Sequence, residues 1–188
     1  MNSPTWANCI LTLKKTTFQS IIDMKLKNLL YMLLVLPFLW SCNEEDDVKE
    51  IFDSGTWYVL DYFAQANFDK AKGRPKYTDM AHNDDPQVAA VGRKNLAIIH
   101  QFSITFKEDG TFTGELQNGA IEGLWEADGD NHTFRIAFQR TPASTTLNEE
   151  FLEAMQEAVW YRGDSQGFLL LAPQDKKSFL QLTHHPEN

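Results

Sequence analysis

Cysteine is scarce in this sequence: the 188-residue chain has two, Cys9 and Cys42. Both lie in the first quarter of the chain, so residues 43–188 carry no thiol. That part of the chain therefore uses neither disulfide bonds nor a thiol nucleophile.

Basic residues are also few, since 17 lysines and arginines face 26 aspartates and glutamates, giving a formal net charge of −9. Binding to nucleic-acid phosphates depends on concentrated positive charge. We therefore expect no nucleic-acid partner.

The common catalytic motifs are missing as well. The sequence has no Gly-x-Ser-x-Gly elbow, no phosphate-binding loop and no dinucleotide fingerprint. Its five histidines do not pair at the spacing that places two metal ligands on one helix. The sequence accordingly predicts no catalytic residue, no metal site and no cofactor, and we expect a protein that is not an enzyme.

The apolar run near the N-terminus, Leu29–Trp40, is 12 residues long. A helix that spans a bilayer needs about 20 apolar residues, whereas 12 suits the apolar region of a secretory signal peptide. Lys25 and Lys27 precede the run as a short basic segment. Met24 is then the expected start, and 1–23 is interpreted as a mis-assigned or disordered extension.

The run ends in Leu39-Trp40-Ser41-Cys42, which resembles the lipobox of bacterial lipoproteins. The resemblance implies that 24–41 is a signal peptide and that Cys42 is acylated after cleavage. Two or more acyl chains hold a protein stably on a membrane. Removal of the four lysines and one aspartate upstream would change the net charge from −9 to −12.

An acidic segment, 42–54, follows the lipobox and is interpreted as a solvated tether. It resembles the acidic tract of lipoproteins that Bacteroidota export to the cell surface. The expected location is therefore the outer membrane, with the protein facing outward and held there by acylated Cys42.

From 55 to 183, apolar residues recur with period two in short segments separated by turn residues such as Asp109-Gly110 and Asn118-Gly119. This pattern favours a single antiparallel sheet, a meander with one wet face. The predicted strands are Thr56–Phe63, 101–107, 111–116, Ile121–Glu126, His132–Gln139, Val159–Arg162, Phe168–Ala172 and Ser178–Thr183. The tail, 184–188, is expected to be loose.

One amphipathic helix is predicted at about 147–158. Thr146 and Glu149 fit a capping box at its start. Leu147, Phe151 and Met155 then recur at helical spacing and form an apolar stripe that must pack on the sheet. The fold class is therefore α+β.

The polar stretch 64–95 is predicted to be a long loop with a short helix that starts at Asp85-Pro86 and stops at Gly92. Long loops in compact domains are often functional. A cationic set within this one is the candidate ligand-contact site, and it comprises Lys70, Lys72, Arg74, Lys76 and Tyr77. Such a set could hold an anionic glycan or a lipid headgroup. An envelope protein is the other candidate partner.

Several motifs across 55–183 resemble the META domain of HslJ-type lipoproteins. They are Gly55-Thr56-Trp57, 106–110 with Gly114, Gly123–Trp125, Arg140-Thr141, 149–152, Trp160-Tyr161 and 168–171. The chain departs from that family where Leu116-Gln117-Asn118-Gly119 replaces a Gly-Cys-Asn sequence. The resemblance implies a non-catalytic envelope domain that serves binding, assembly or stress protection.

Two alternatives stay open from the sequence. A lipocalin-like barrel shares the Gly-Thr-Trp start and the Asp-Gly hairpin, and it would carry a small ligand in an internal cavity. A hydrolase acting on surface glycans would need two carboxylates facing each other across a cleft.

Overall fold

The computed structural model describes residues 44–164 and 167–185, with side chains from Val48 onward. The predicted N-terminal extension, the signal peptide and the lipid-attachment residue Cys42 lie outside the described residues. Among the residues that are described, no helix combines the length and apolar character needed to cross a bilayer.

The described residues form four α-helices, nine strands and a 3₁₀ turn at Phe68–Lys70. The helices are α1 (Glu44–Phe52), α2 (Lys76–Ala81), α3 (Pro86–Ile99) and α4 (Thr146–Glu157). The strands are β1 (Thr56–Asn67), β2 (Lys72–Pro75), β3 (Ser103–Phe106), β4 (Thr111–Leu116), β5 (Gly119–Asp128), β6 (Thr133–Arg140), β7 (Ala158–Gly163), β8 (Phe168–Pro173) and β9 (Phe179–Thr183).

The strands make one antiparallel sheet in the order β2-β1-β3-β4-β5-β6-β7-β8-β9, and β1 also pairs with β9. β1 closes the sheet into a ring because its first half lies between β3 and β9, while its end carries β2. The predicted α+β class and antiparallel sheet are confirmed, and β1 and β3–β9 match the eight predicted strands.

The contact between β6 and β7, which we call the seam, has fewer paired residues than any other strand contact in the ring. Their register consists of one residue pair, Thr133 opposite Trp160. One further backbone hydrogen bond crosses this seam, from Tyr161 N–H to the His132 carbonyl at 3.1 Å. α4 is the connection between these two strands, so the chain leaves and re-enters the sheet here.

Side chains fill the interior of the ring. Inward-facing aromatic and aliphatic residues of β1 and β3–β6 meet the apolar stripe of α4 there, and Phe102 and Phe151 pack edge to face at 5.9 Å. The large side chains that are almost fully buried include Trp57, Phe102, Phe106, Phe112, Phe134, Phe151 and Met155.

α4 starts one residue earlier than its capping-box signature indicated. Thr145 is the N-cap, and its side chain accepts a hydrogen bond from Asn148 N–H. The Asn148 side chain is buried, accepting from Gln117 N–H at 3.1 Å and donating to the carbonyls of Gln117 and Ala143. Asn148 therefore ties α4 to the β4–β5 turn.

The prediction of a long loop at 64–95 is wrong. This part of the chain contains the end of β1, the 3₁₀ turn, β2, α2 and most of α3. Asp85 does cap α3, but Gly92 lies inside that helix instead of ending it. A Cβ at Gly92 would lie 2.4 Å from Ala81 N, so glycine is required for the close approach of α3 to α2.

The segment predicted as a solvated tether, 42–54, also differs from expectation, because it contains α1. Phe52 at the end of α1 is 0% exposed. Its ring lies 4.8–5.5 Å, centroid to centroid, from the rings of Phe106, Trp125, Phe134 and Tyr161. The acidic start of the segment suggested solvation, but the aromatic residue at its end makes it part of the core.

Replacement of Phe52 by alanine tests whether α1 belongs to the folded domain. We expect Phe52→Ala to lower the free energy of unfolding by about 3–5 kcal/mol, because it empties a space among four aromatic rings. Urea denaturation measures this change. Lys49→Ala is the control on the same helix, since its ion pair with Glu108 is exposed. Equal, small effects of both substitutions would contradict the structural role of α1.

Candidate functional site

A cavity of about 590 Å³ lies among the described residues. It lies beside the thin seam between β6 and β7, where the 3₁₀ turn, the β8–β9 turn and the end of α1 also converge. Aromatic and charged side chains line it together, and they include Phe68, Asp69, His132, Trp160, Arg162 and Lys176. This seam cavity falls within the usual size range of ligand sites, about 300–1,000 Å³.

Trp160 and Phe68 supply the aromatic surface of the seam cavity, and a lysine lies over both. Lys176 Nζ is 4.6 Å from the centroid of the Trp160 ring and 5.5 Å from that of Phe68. The same ammonium group is 3.3 Å from Asp69 Oδ1. The faces of the two rings and a carboxylate thus surround one cation.

Two more polar contacts shape the cavity. Arg162 Nη1 donates to the backbone carbonyl of Asp69, which ties β7 to the 3₁₀ turn. His132 and Tyr161 pack edge to face at 5.7 Å on the other side of the seam. No cluster of three or more metal-ligating side chains occurs among the described residues.

Local backbone chemistry places these side chains. Asn67 caps the 3₁₀ turn by accepting from Lys70 N–H at 3.1 Å, and Ala71 ends that turn in the left-handed conformation. Lys176 is also left-handed, with φ of +55°, at the β8–β9 turn. A left-handed residue turns the chain sharply, which brings Lys176 back over Trp160.

A second cavity of about 260 Å³ lies in the cleft between α4 and the β8–β9–β1 surface. We call it the α4 cleft. One wall is acidic and belongs to α4, whereas the floor is apolar and comes from the strands. Its lining includes Tyr62, Phe63, Glu150, Glu153, Glu157 and Leu180.

A buried carboxylate on β1, that of Asp61, holds the N-terminus of α2, the short helix next to this cleft. Asp61 is 1% exposed. Its Oδ1 accepts from the N–H of Tyr62 at 2.7 Å and of Tyr77 at 3.0 Å, and its Oδ2 accepts from Thr78 N–H at 2.8 Å. The residue at the N-cap position of α2, Pro75, has no side-chain cap bond, so Asp61 caps α2 from another element.

Residues of α2 in turn bind α4. Lys76 Nζ lies 2.7 and 2.8 Å from the two carboxylate oxygens of Glu150, and the Tyr77 hydroxyl donates to Glu150 at 2.6 Å. Burial and the nearby Glu150 carboxylate raise the pKa of Tyr77 above its ordinary value. Burial, followed by the charge of Glu150, likewise raises the pKa of Tyr62.

The structure separates the five residues of the candidate ligand-contact set. Lys76 lines the α4 cleft, while Tyr77 is buried and contributes its hydroxyl to Glu150. Arg74 pairs with Asp79 at 3.3 Å. Lys72 is exposed on β2. Lys70 is next in sequence to Phe68 and Asp69, which line the seam cavity. The set is therefore spread over three elements and does not form one loop surface.

Sequence reasoning missed most of the seam cavity. Trp160 stood out as an aromatic residue in a predicted strand, but nothing local indicated that Phe68 and Lys176 would meet its ring. These residues lie in three segments that the chain brings together only after the ring of strands closes.

Comparison with family models and with solved structures relates this chain to other proteins. A model described as a domain of unknown function, DUF4847, matches residues 43–184. The chain belongs to the DUF4847 family. The crystal structure of a DUF4847 family protein from Bacteroides vulgatus ATCC 8482 is similar to it, with 55% sequence identity and a TM-score of 0.74. The match covers 75% of this chain and 99% of that chain. A comparison with curated proteins gave no match.

The expected membership of the META family is therefore wrong, because the DUF4847 model matches the same region. The quoted motifs include an Asp-Gly turn, glycine-containing strands, aromatic strand residues and a segment of the amphipathic helix. Any antiparallel meander needs turn residues of this kind and aromatic side chains for its core. The motifs therefore reported the sheet correctly and the family incorrectly.

Substitution of Asp61 tests the connection from β1 through α2 to the cleft. We expect Asp61→Ala to lower the free energy of unfolding by about 3 kcal/mol or more, because three backbone N–H groups lose their charged acceptor. Asp79→Ala on α2 is the matched control, since Asp79 is exposed and pairs with exposed Arg74. Chemical denaturation of both variants gives the comparison, and similar small changes would rule out the capping role.

Proposed function

We propose that this DUF4847 protein is a lipid-anchored protein of the outer-membrane surface that binds a saccharide, without catalysis, at the seam cavity. The observation that carries the proposal is the partly exposed Trp160 ring in a cavity of about 590 Å³ lined by charged groups. A sugar ring offers an apolar face for an aromatic side chain and hydroxyl groups for a polar rim.

The charges around the cavity suit a ligand rich in hydroxyl groups. Asp69 and Asp164 supply acceptors, while Arg162 and Lys176 supply donors, so both signs are present. Lys176 lies over the ring face that a sugar would use. Because its side chain is long and its ion pair with Asp69 is solvated, we expect the ligand to displace its ammonium group at small cost.

The proposed anchor comes from the sequence around Cys42, where the lipobox resemblance, the short apolar run and the basic segment agree. A single residue, Asn43, separates Cys42 from the first residue of α1. Because Phe52 fixes α1 in the core, the acylated cysteine would hold the domain close to the membrane without a long spacer.

The two alternative functions have less support. A carrier of the lipocalin type needs an internal cavity, and the packed ring interior argues against one. A glycan hydrolase would use the same seam cavity as the proposed binding protein. It is distinguished by product formation and is therefore included in the test below.

Binding can be tested with neutral and uronic-acid oligosaccharides of equal length. We expect at least one of them to bind the wild-type chain and Trp160→Ala to weaken that binding about 10-fold or more, because an aromatic anchor at a binding site is lost. Isothermal titration calorimetry measures the affinities. Tyr58→Ala is the matched control, since Tyr58 is partly exposed and lies outside the cavity lining.

Three results would contradict this part of the proposal. No binding by any oligosaccharide would contradict the proposal that the ligand is a saccharide. Equal losses of affinity in Trp160→Ala and Tyr58→Ala would contradict its location in the seam cavity. New reducing ends appearing during incubation would show that the protein is a hydrolase.

The anchor is tested in cells grown with an alkyne analogue of palmitate. We expect wild-type protein to carry the label in the membrane fraction and Cys42→Ser to lose both label and membrane association. Cys9→Ser is the control, because Cys9 lies before the expected start at Met24. Mass spectrometry that finds an unmodified N-terminal peptide beginning at Met1 or Met24 would overturn the anchor.

A further inference from the structure

One buried polar group beside the α4 cleft has no hydrogen-bond partner. Tyr62 is 8% exposed, and its hydroxyl makes no hydrogen bond within the described structure. Buried hydroxyl groups are almost always paired, because an unpaired one loses its bonds to water without replacement. Tyr62 lines the cleft, so a molecule bound there can supply the missing partner.

The acidic wall of the α4 cleft indicates that the bound molecule should be positively charged. Glu150, Glu153 and Glu157 recur at helical spacing and line the cleft from α4. Lys76 neutralises Glu150, which leaves the wall with a net negative charge from the other two. Glu157 is also the last residue of α4, where the helix dipole adds negative potential.

The apolar floor of the α4 cleft indicates that the rest of the molecule should be a hydrocarbon. Leu171 and Leu180 of the strands and Ala154 of α4 line the cleft, and they belong to the same apolar cluster as Tyr62. The glutamates follow one another along α4 and do not form a cluster suited to a metal ion among the described side chains. An elongated organic cation matches a row of carboxylates above an apolar floor better than a spherical ion does.

We propose that the α4 cleft is a second binding site, separate from the seam cavity, and that it takes a primary ammonium group on a hydrocarbon body. The ammonium group has three N–H donors, which fit the Tyr62 hydroxyl oxygen and the carboxylates of Glu153 and Glu157. The hydrocarbon body lies against Ala154, Leu171 and Leu180.

The test uses hexylammonium chloride as the probe and 1-hexanol as its uncharged match. Both are titrated into the full chain purified in detergent micelles, with micelles alone as the blank. We expect hexylammonium to bind at least about 10-fold more tightly than 1-hexanol, because charge-assisted hydrogen bonds stabilise the cation alone. Equal affinities, or no binding by either compound, would overturn the proposal.

Variants locate the site. Tyr62→Phe and the double variant Glu153→Gln, Glu157→Gln should each weaken hexylammonium binding about 5-fold or more. Glu122→Gln should not, because Glu122 is an exposed residue of β5 outside the cleft. Because the Tyr62 hydroxyl is unpaired in the free protein, Tyr62→Phe should leave the thermal midpoint unchanged or raised. Weaker binding in Trp160→Ala but not in Tyr62→Phe would place the amine in the seam cavity and overturn the proposal.

Discussion

The structure outside the ring depends on the buried carboxylate of Asp61. A regular strand alternates its side chains, yet Asp61 and its neighbour Tyr62 are both buried. The bulge between Val59 and Asp61 does not account for this, because Asp61 and Tyr62 pair in regular register with Gln181 and Leu180. Asp61 is buried because it accepts hydrogen bonds from Tyr77 and Thr78 N–H at the start of α2, whereas Tyr62 belongs to the apolar core cluster. α2 then places Lys76 and Tyr77 on Glu150, so one buried carboxylate on β1 connects α2 to the sheet and, through it, to α4.

The sequence predicted the part of the fold whose signals are local. Alternating apolar residues and Asp-Gly or Asn-Gly turns located eight strands, and the apolar stripe from Leu147 to Met155 located α4. The sequence did not predict α1 and α2, because both helices depend on contacts with residues that are distant in sequence. α2 has six residues and no cap of its own, and Asp61 supplies the missing acceptor from β1. α1 begins with four acidic residues, and its packing comes from Val48, Ile51 and Phe52 in its second half.

The candidate sites show the same limit. The cationic residues at 70–76 were predicted as one site because they are close in sequence. The fold distributes them over the 3₁₀ turn, β2 and α2. The seam cavity instead joins Phe68, Trp160 and Lys176, which are separated by up to 108 positions and share no motif. Residue types alone could suggest Trp160 as a contact, but the lysine over its ring follows from the left-handed turn between β8 and β9.

Both cavities depend on the weakly paired contact between β6 and β7, and the reason is physical. A ring of strands pairs its backbone groups internally and fills its centre with side chains, so it offers a ligand little access along its paired walls. The seam between β6 and β7 has one residue pair, and α4, which connects these strands, must leave the wall to cover the core. The interruption opens the seam cavity, and the helix that connects its two strands forms one wall of the α4 cleft against β8, β9 and β1. The two proposed sites thus depend on a single topological feature, the helix inserted between the neighbouring strands β6 and β7.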